Sequence, residues 1–298
     1  MRQTSYPPTR SAVLVVLVSA LLAGLVSTTL AGIVSGTRSP STEGSPELVF
    51  TSDRDGNLEI YAMRNDGHLQ RRLTVDPAAD VDPTVSQHGL IAFASDRTGD
   101  MDLFAMSSNG RVVARLTRLP GDETQPAFSP DGSKLAFTHG GDVYVMDANG
   151  SNLRNVTQYA AEDTDPSWAP DGRHLAFASD RGGSRDIFVI RLGAKRAVGV
   201  TRSGSNSAPD WSPDGSRIAF LHAEEVRLVS AKGGTETLVA TSVSAPSFSP
   251  DGTEIAVADG RDVVRISLAG GERLNLSFSA AIDAAPDWRP QSKGRRSH

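Results

Sequence analysis

The chain has 298 residues, 38% hydrophobic and 22% charged, the balance of an ordinary soluble body large enough to stand without covalent staples. It contains no cysteine, which excludes disulfides, thiolate nucleophiles and thiolate-bound zinc. Net charge is −5, and beyond residue 40 the chain holds 27 basic against 35 acidic residues, a sign that disfavours non-specific nucleic-acid binding.

Between Arg10 and Arg38 there is no charge, and Ala12 to Val34 forms a run of 23 residues rich in Val, Leu and Ala. As a helix it is long enough to cross a hydrocarbon layer of about 30 Å. With Arg2 and Arg10 ahead of it, the remainder is expected outside the cytoplasm. The same residues also read as a cleaved signal peptide, with Ala12–Val26 as apolar core and Thr29-Leu30-Ala31 as cleavage site. Residues 1–35 are thus a signal anchor or signal peptide, and 36–46, rich in Ser, Thr, Pro and Gly, a flexible tether.

From residue 47 to 290 the chain repeats. Pro83, Pro126, Pro166, Pro209, Pro246 and Pro286 are separated by 43, 40, 43, 37 and 40 residues. A strand-rich period of about 40 residues marks a radially repeated β architecture. In the clearest repeat, Pro126-Ala127-Phe128-Ser129 reads as a strand starting at a proline, and Ser129-Pro130-Asp131-Gly132 as a turn. Leu135-Ala136-Phe137 and Val143–Met146 are the next strands, Asn149-Gly150 a hairpin signal, and Asn155-Val156-Thr157 the last strand. Four antiparallel strands make one propeller blade. Phe128, Trp168, Trp211, Phe248 and Trp288, with Val85, hold one position and are expected to fill the seams between blades. The chain enters at a second strand, Leu48–Phe50, and ends on a first strand, Pro286–Trp288. Pairing these two closes six blades and removes the exposed edges. Residues 291–298 read as a disordered basic tail.

The motifs Pro-x-aromatic-Ser-Pro-Asp-Gly, Ser95-Asp96-Arg97-Thr98-Gly99 and Ser179-Asp180-Arg181-Gly182-Gly183, with Leu116-Thr117 and Val200-Thr201, resemble the six-bladed propeller of the TolB-like family. The resemblance covers about residues 47–290 and implies an all-β fold. The family's separate α/β domain has no counterpart in the leader and tether, so an envelope role of the Tol–Pal kind is not carried over. A hydrolase domain with a Gly-x-Ser-x-Gly elbow, as in propellers of the prolyl oligopeptidase family, is not found either.

Loops joining strands two and three, and loops between blades, share one face of a propeller. Here they concentrate acids: Asp53, Asp55, Asp96, Asp100 and Asp180 within blades, Asp80, Asp82, Asp122, Glu123, Asp163 and Asp165 between them. The residues preceding the repeat prolines (Asp82, Gln125, Asp165, Ala208, Ala245, Ala285) are expected to ring the channel mouth, polar on one arc and small and apolar on the other. Asp82, Gln125, Asp165, Asp122, Asp163, His139 and His222 are therefore candidates for binding a basic partner, against the plainer reading that these acids start turns and solvate loops. His139 and His222 share one register position, facing the channel or replacing serine at a strand end. Arg54, Arg97 and Arg181, each after Asp53, Asp96 or Asp180, are expected to bridge Glu59, Asp102 and Asp186 across their hairpins. Asn155-x-Thr157 and Asn275-x-Ser277 match the glycosylation sequon.

The reading is a non-catalytic, monomeric, exported scaffold that binds a protein or peptide on the periplasmic or extracellular side. It is tethered to the membrane by residues 12–34 if they are not cleaved, and no catalytic residue, cofactor or metal is assigned. The alternative is a metal-assisted hydrolase or lyase of the lactonase or sugar-lyase type, with its site in the channel.

Overall fold

A computed structural model describes residues 47–111 and 113–290, and the expectations placed on residues 1–46 and 291–298 lie outside them. Among the described residues no helix is long and apolar enough to cross a membrane. The described chain forms six four-stranded antiparallel sheets. Blade one joins Asp283–Trp288 to Leu48–Ser52, Glu59–Met63 and Arg71–Arg72. Blade two is Asp80–Val85, Leu90–Ser95, Asp102–Ser107 and Val113–Arg115. Blade three is Glu123–Phe128, Lys134–His139, Asp142–Asp147 and Arg154–Asn155. Blade four runs through Asp163–Trp168, His174–Ser179, Asp186–Arg191 and Val198–Gly199. Blade five has Asn206–Trp211, Arg217–His222, Glu225–Ser230 and Thr237–Thr241. Blade six has Ser247–Phe248, Glu254–Asp259, Asp262–Ser267 and Arg273–Asn275.

Each first strand touches the first strand of the next blade around the whole ring, so these six strands line the channel. Closure is by the predicted pairing: Leu48 lies opposite Trp288 and Ser52 opposite Asp283. There is no single core. Six apolar clusters form, one per seam, each drawing side chains from two adjacent blades. Trp288 joins Leu48 and Phe50 of its own blade to Ala256 and Val263 of blade six. Val85, Phe128, Trp168 and Phe248 fill the equivalent place in four other seams, and Trp211 packs partly buried in the fifth. The second strands are sandwiched between two seams, and Leu90–Ser95 is buried at every residue.

The proline positions differ from expectation. The first strands of five blades begin three residues earlier, and the proline follows a β-bulge inside the strand. Asp82, Gln125, Asp165, Ala208 and Ala285 take positive φ of 51°, 54°, 55°, 45° and 48°, at the points where pairing skips register. The bulge is where a strand tolerates a residue without an N–H. Blade six lacks it and keeps only Ser247–Phe248 as first strand.

Polar repeats hold the rest. The hydroxyls of Thr74, Thr117, Thr157, Thr201 and Ser277, from the Leu-Thr type pairs, each accept a third-strand N–H at 2.8–3.0 Å. In the Ser-Pro-Asp-Gly turns the aspartate closes on its serine, and the Ser212 hydroxyl pulls the Asp214 carboxyl down to about 2. A Cβ on Gly110 would stand 2.5 Å from the Leu73 carbonyl oxygen, so this hairpin turn docks on the preceding blade only as glycine.

Trp288→Ala should cost about 3–5 kcal/mol, the penalty for emptying an aromatic site in a packed seam. Chemical denaturation checks this, and a loss below about 1 kcal/mol would show that the closing strand is not the structural keystone.

Candidate binding face and channel

The face carrying the between-blade loops is organised by carboxylates at the heads of the first strands. Asp80, Glu123, Asp163 and Asp283 are buried, each 0–1% exposed. Arg97 meets Asp80 at 2.7 Å, Arg181 meets Asp163 at 2.5 Å and Arg54 meets Asp283 at 2.9 Å. This corrects the expected bridges to Glu59, Asp102 and Asp186. The arginine turns back because its Nε donates to Ser52, Ser95 or Ser179 Oγ at 2.8–2.9 Å, which aims the guanidinium at strand one rather than strand three. The fork also lies over aromatic rings, Arg97 at 4.7 Å from Phe104. The displaced acids find other partners. Glu59 pairs with Arg72 at 2.5 Å and Asp102 with Arg115 at 2.7 Å, while Asp186 accepts the Asn206 amide at 2.9 Å.

Asp53, Asp96 and Asp180 accept the backbone N–H of Ile282, Ala79 and Glu162 at 2.7–3.0 Å, pinning the loop that enters their own blade. Asp122 likewise accepts Met101 N–H at 2.9 Å. In blades three and five a histidine replaces the arginine: His139 Nδ1 lies 2.9 Å from Glu123, and His222 Nδ1 2.9 Å from Asn206 Oδ1. Both imidazoles therefore pair with the heads of their own first strands. Asn155 and Asn275 of the sequons donate to Asp142 and Asp262 at 2.8 and 2.7 Å.

Of the predicted site residues, the structure brings together Asp82, Gln125 and Asp165. Three of the left-handed N–H groups are received by the preceding blade. Gln125 N–H reaches Asp82 Oδ2 at 3.4 Å, Asp165 N–H reaches Gln125 Oε1 at 3.2 Å, and Ala208 N–H reaches Asp165 Oδ2 at 3.3 Å. The relay stops at Ala208, which has no side-chain acceptor. Gln125 also donates to Asp165, and Arg185 stands 3.5 Å from Asp165. Burial pushes the Asp82 carboxyl up, the Gln125 N–H opposes this and the Asp165 charge adds to it.

The opposite arc carries Ala208, Ala245 and Ala285 at its mouth, and two positions further on stand Asp210, Ser247 and Asp287. Asp210 Oδ2 accepts Phe248 N–H at 2.7 Å and its Oδ1 accepts the Ser167 hydroxyl at 3.2 Å. Asp287 Oδ2 accepts Val85 N–H at 2.8 Å. Burial pushes Asp210 up to about 6, against the Phe248 N–H. Burial pushes Asp287 up to about 7, against Val85 N–H, with the Asp210 charge adding to the rise. The signal was present in the slot between proline and aromatic, which reads Thr84, Ala127, Ser167, Asp210, Ser247, Asp287. Among the described residues no group of three or more His, Asp or Glu is placed to hold a metal ion.

Removing Arg181 would strand Asp163 without a counter-ion, so Arg181→Ala should destabilise by about 3–5 kcal/mol. Denaturant unfolding reads this, and an unchanged midpoint contradicts the pairing. Asp210 and Asp287 hold protons in the folded chain above the ordinary aspartate value near 3.9. The native state therefore binds more protons than the unfolded one between about pH 4 and 7, and these groups make stability fall as pH rises through that window. Urea unfolding across this range should show a shallower slope for Asp287→Asn than for the parent; equal slopes would refute the assignment.

The family description "TolB beta propeller domain" matches residues 4–140 and 114–243. Among solved structures, TolB from Acinetobacter baumannii is 23% identical over 84% of this chain and 68% of its own, with TM-score 0.72. A chain of a nidogen/laminin complex is 11% identical over 80% and 97%, with TM-score 0.67. An oligogalacturonate lyase in complex with manganese is 16% identical over 77% and 72%, with TM-score 0.52. At these identities the likeness is one of fold. No curated protein matches the sequence.

Proposed function

The chain belongs to the TolB β-propeller family, and from that premise we propose that it is a non-catalytic, exported scaffold whose channel mouth receives a basic protein or peptide segment at the cell envelope. One observation carries the reading: Asp82, Gln125 and Asp165 form a continuous polar arc on the inner strands. The arc is partly accessible, and Arg185 is the one cation that pairs with it among the described residues. Arginine pairs with the strand-head carboxylates Asp80, Asp163 and Asp283, and His139 faces Glu123, so the mouth arc is the acidic surface we assign to a partner. Export and retention at a membrane rest on the apolar run at residues 12–34. The competing reading is a channel enzyme of the hydrolase or lyase class, supported by the fold it shares with the oligogalacturonate lyase.

Asparagine at positions 82 and 165 keeps one side-chain oxygen for the next blade's N–H and removes the charge, and at this partly accessible mouth solvent can satisfy the Gln125 amide that loses its acceptor on Asp165. The pair Asp82→Asn and Asp165→Asn should weaken capture of a lysine-rich peptide about tenfold, or roughly 1.4 kcal/mol, without lowering the melting temperature. Fluorescence anisotropy against a glutamate-rich control measures this. Equal capture by parent and variant rejects the binder, and a rise of several degrees in melting temperature with manganese favours the enzyme.

A further inference from the structure

In every blade the residue just before the third strand gives its carbonyl oxygen to an N–H at the entry to the next blade, at 2.7–3.2 Å. These residues are Leu58, Met101, Gly141, Arg185, Glu224 and Arg261. Their backbone is held alike, and their side chains differ. Among the three charged ones, only Arg185 reaches an inner strand within the described residues. Its guanidinium donates to the Thr164 hydroxyl and stands 3.5 Å from Asp165 Oδ2, at the end of the mouth arc. Arg261 instead donates to the Ala280 carbonyl oxygen at 3.3 Å, away from the arc.

Arg185 is held differently from the arginines that build the fold. Arg54, Arg97 and Arg181 meet their strand-head acids at 2.5–2.9 Å, and those acids have fully buried side chains. Each of the three also lies over aromatic rings and is anchored at Nε by a serine hydroxyl. Arg185 has neither support among the described residues, and its side chain is 33% exposed. A partly exposed pair at that separation is weak and open to exchange. The place it occupies suits a guanidinium. Thr164 offers a hydroxyl oxygen and Asp165 a carboxylate, with the Thr164 hydroxyl itself 3.1 Å from Asp165 Oδ2. A planar fork of five donors spans two separate acceptors, whereas an ammonium is a compact point charge.

Building on the mouth as the site of a basic segment, we propose that Arg185 is a displaceable stand-in for an arginine of the partner. It covers the Thr164–Asp165 end of the arc until an arginine-bearing segment replaces it, and the seat prefers guanidinium to ammonium.

Two labelled octapeptides that differ only in arginine against lysine test this by anisotropy, on the full chain and on Arg185→Ala, Arg185→Lys and Arg261→Ala. Arg185→Ala should bind the arginine peptide about tenfold more tightly than the parent does, and the lysine peptide no more than about threefold more tightly. Arg185→Lys keeps the charge and loses the fork, so its gain for the arginine peptide should be intermediate. Arg261→Ala removes a charge from the same register position and should bind as the parent does. The melting temperature of Arg185→Ala should match the parent's, because the carbonyl oxygen that receives Asn206 N–H is retained. If the parent binds and Arg185→Ala binds equally or more weakly, the stand-in is overturned while the basic-segment reading remains. Equal gains for both peptides, or an equal gain in Arg261→Ala, reduce the effect to charge and overturn the arginine preference. Failure of every protein to bind either peptide rejects the basic-segment reading and this proposal with it.

Discussion

A blade of this ring cannot bury its own two faces. Its apolar side chains find cover only in the seam with the next blade, so the packing is six shared interfaces rather than one interior. A row of such interfaces has two open ends unless it curves into a ring. Pairing Asp283–Trp288 with Leu48–Ser52 removes both ends, and it does so with residues more than 200 positions apart. The loop entropy of that contact is spread over the whole chain, and each doubling of loop length adds only about 0.6 kcal/mol. The other five seams form between consecutive blades and pre-align the last strand for its place.

Closing the ring crowds six strands around a narrow channel, and the polar pattern answers that crowding. A left-handed conformation disfavours an ordinary L-residue by about 1–2 kcal/mol, yet five inner strands adopt it before proline. On one arc the acceptors of Asp82, Gln125 and Asp165 receive the turned-in N–H groups. Deeper in the channel Ser167, Asp210, Ser247 and Asp287 receive the N–H of the aromatic position in the next blade. These side chains staple neighbouring blades where backbone ladders do not reach. Among the staples built from aspartate, burial raises Asp82, Asp210 and Asp287 toward the protonated form.

Two populations of acid are thus separated by geometry. Those at the strand heads are buried and matched by Arg54, Arg97 and Arg181, or faced by His139. Asp82 and Asp165 at the mouth keep partial exposure, with Arg185 alone approaching Asp165 among the described residues, while burial raises Asp210 and Asp287 deeper in the channel. The first population is consumed in the architecture of the ring itself.

Much of this was legible in the linear chain. The evenly spaced prolines with an aromatic two residues on, the Ser-Pro-Asp-Gly turns and the split first and last strands specify six blades and their closure. They do so because period, turn chemistry and alternation are local properties. The arc of Asp82, Gln125 and Asp165 followed from the same register. The partners of Arg54, Arg97 and Arg181 did not, because a serine two residues earlier redirects the side chain toward a strand that for Arg54 lies 229 residues away. Nor did the two raised carboxyls, Asp210 and Asp287: a carboxylate in a repeat slot looks the same in sequence whether water or protein surrounds it. Only the closed ring decides which acids lose their solvent and which keep it, since that depends on what stands opposite each residue across seam and channel.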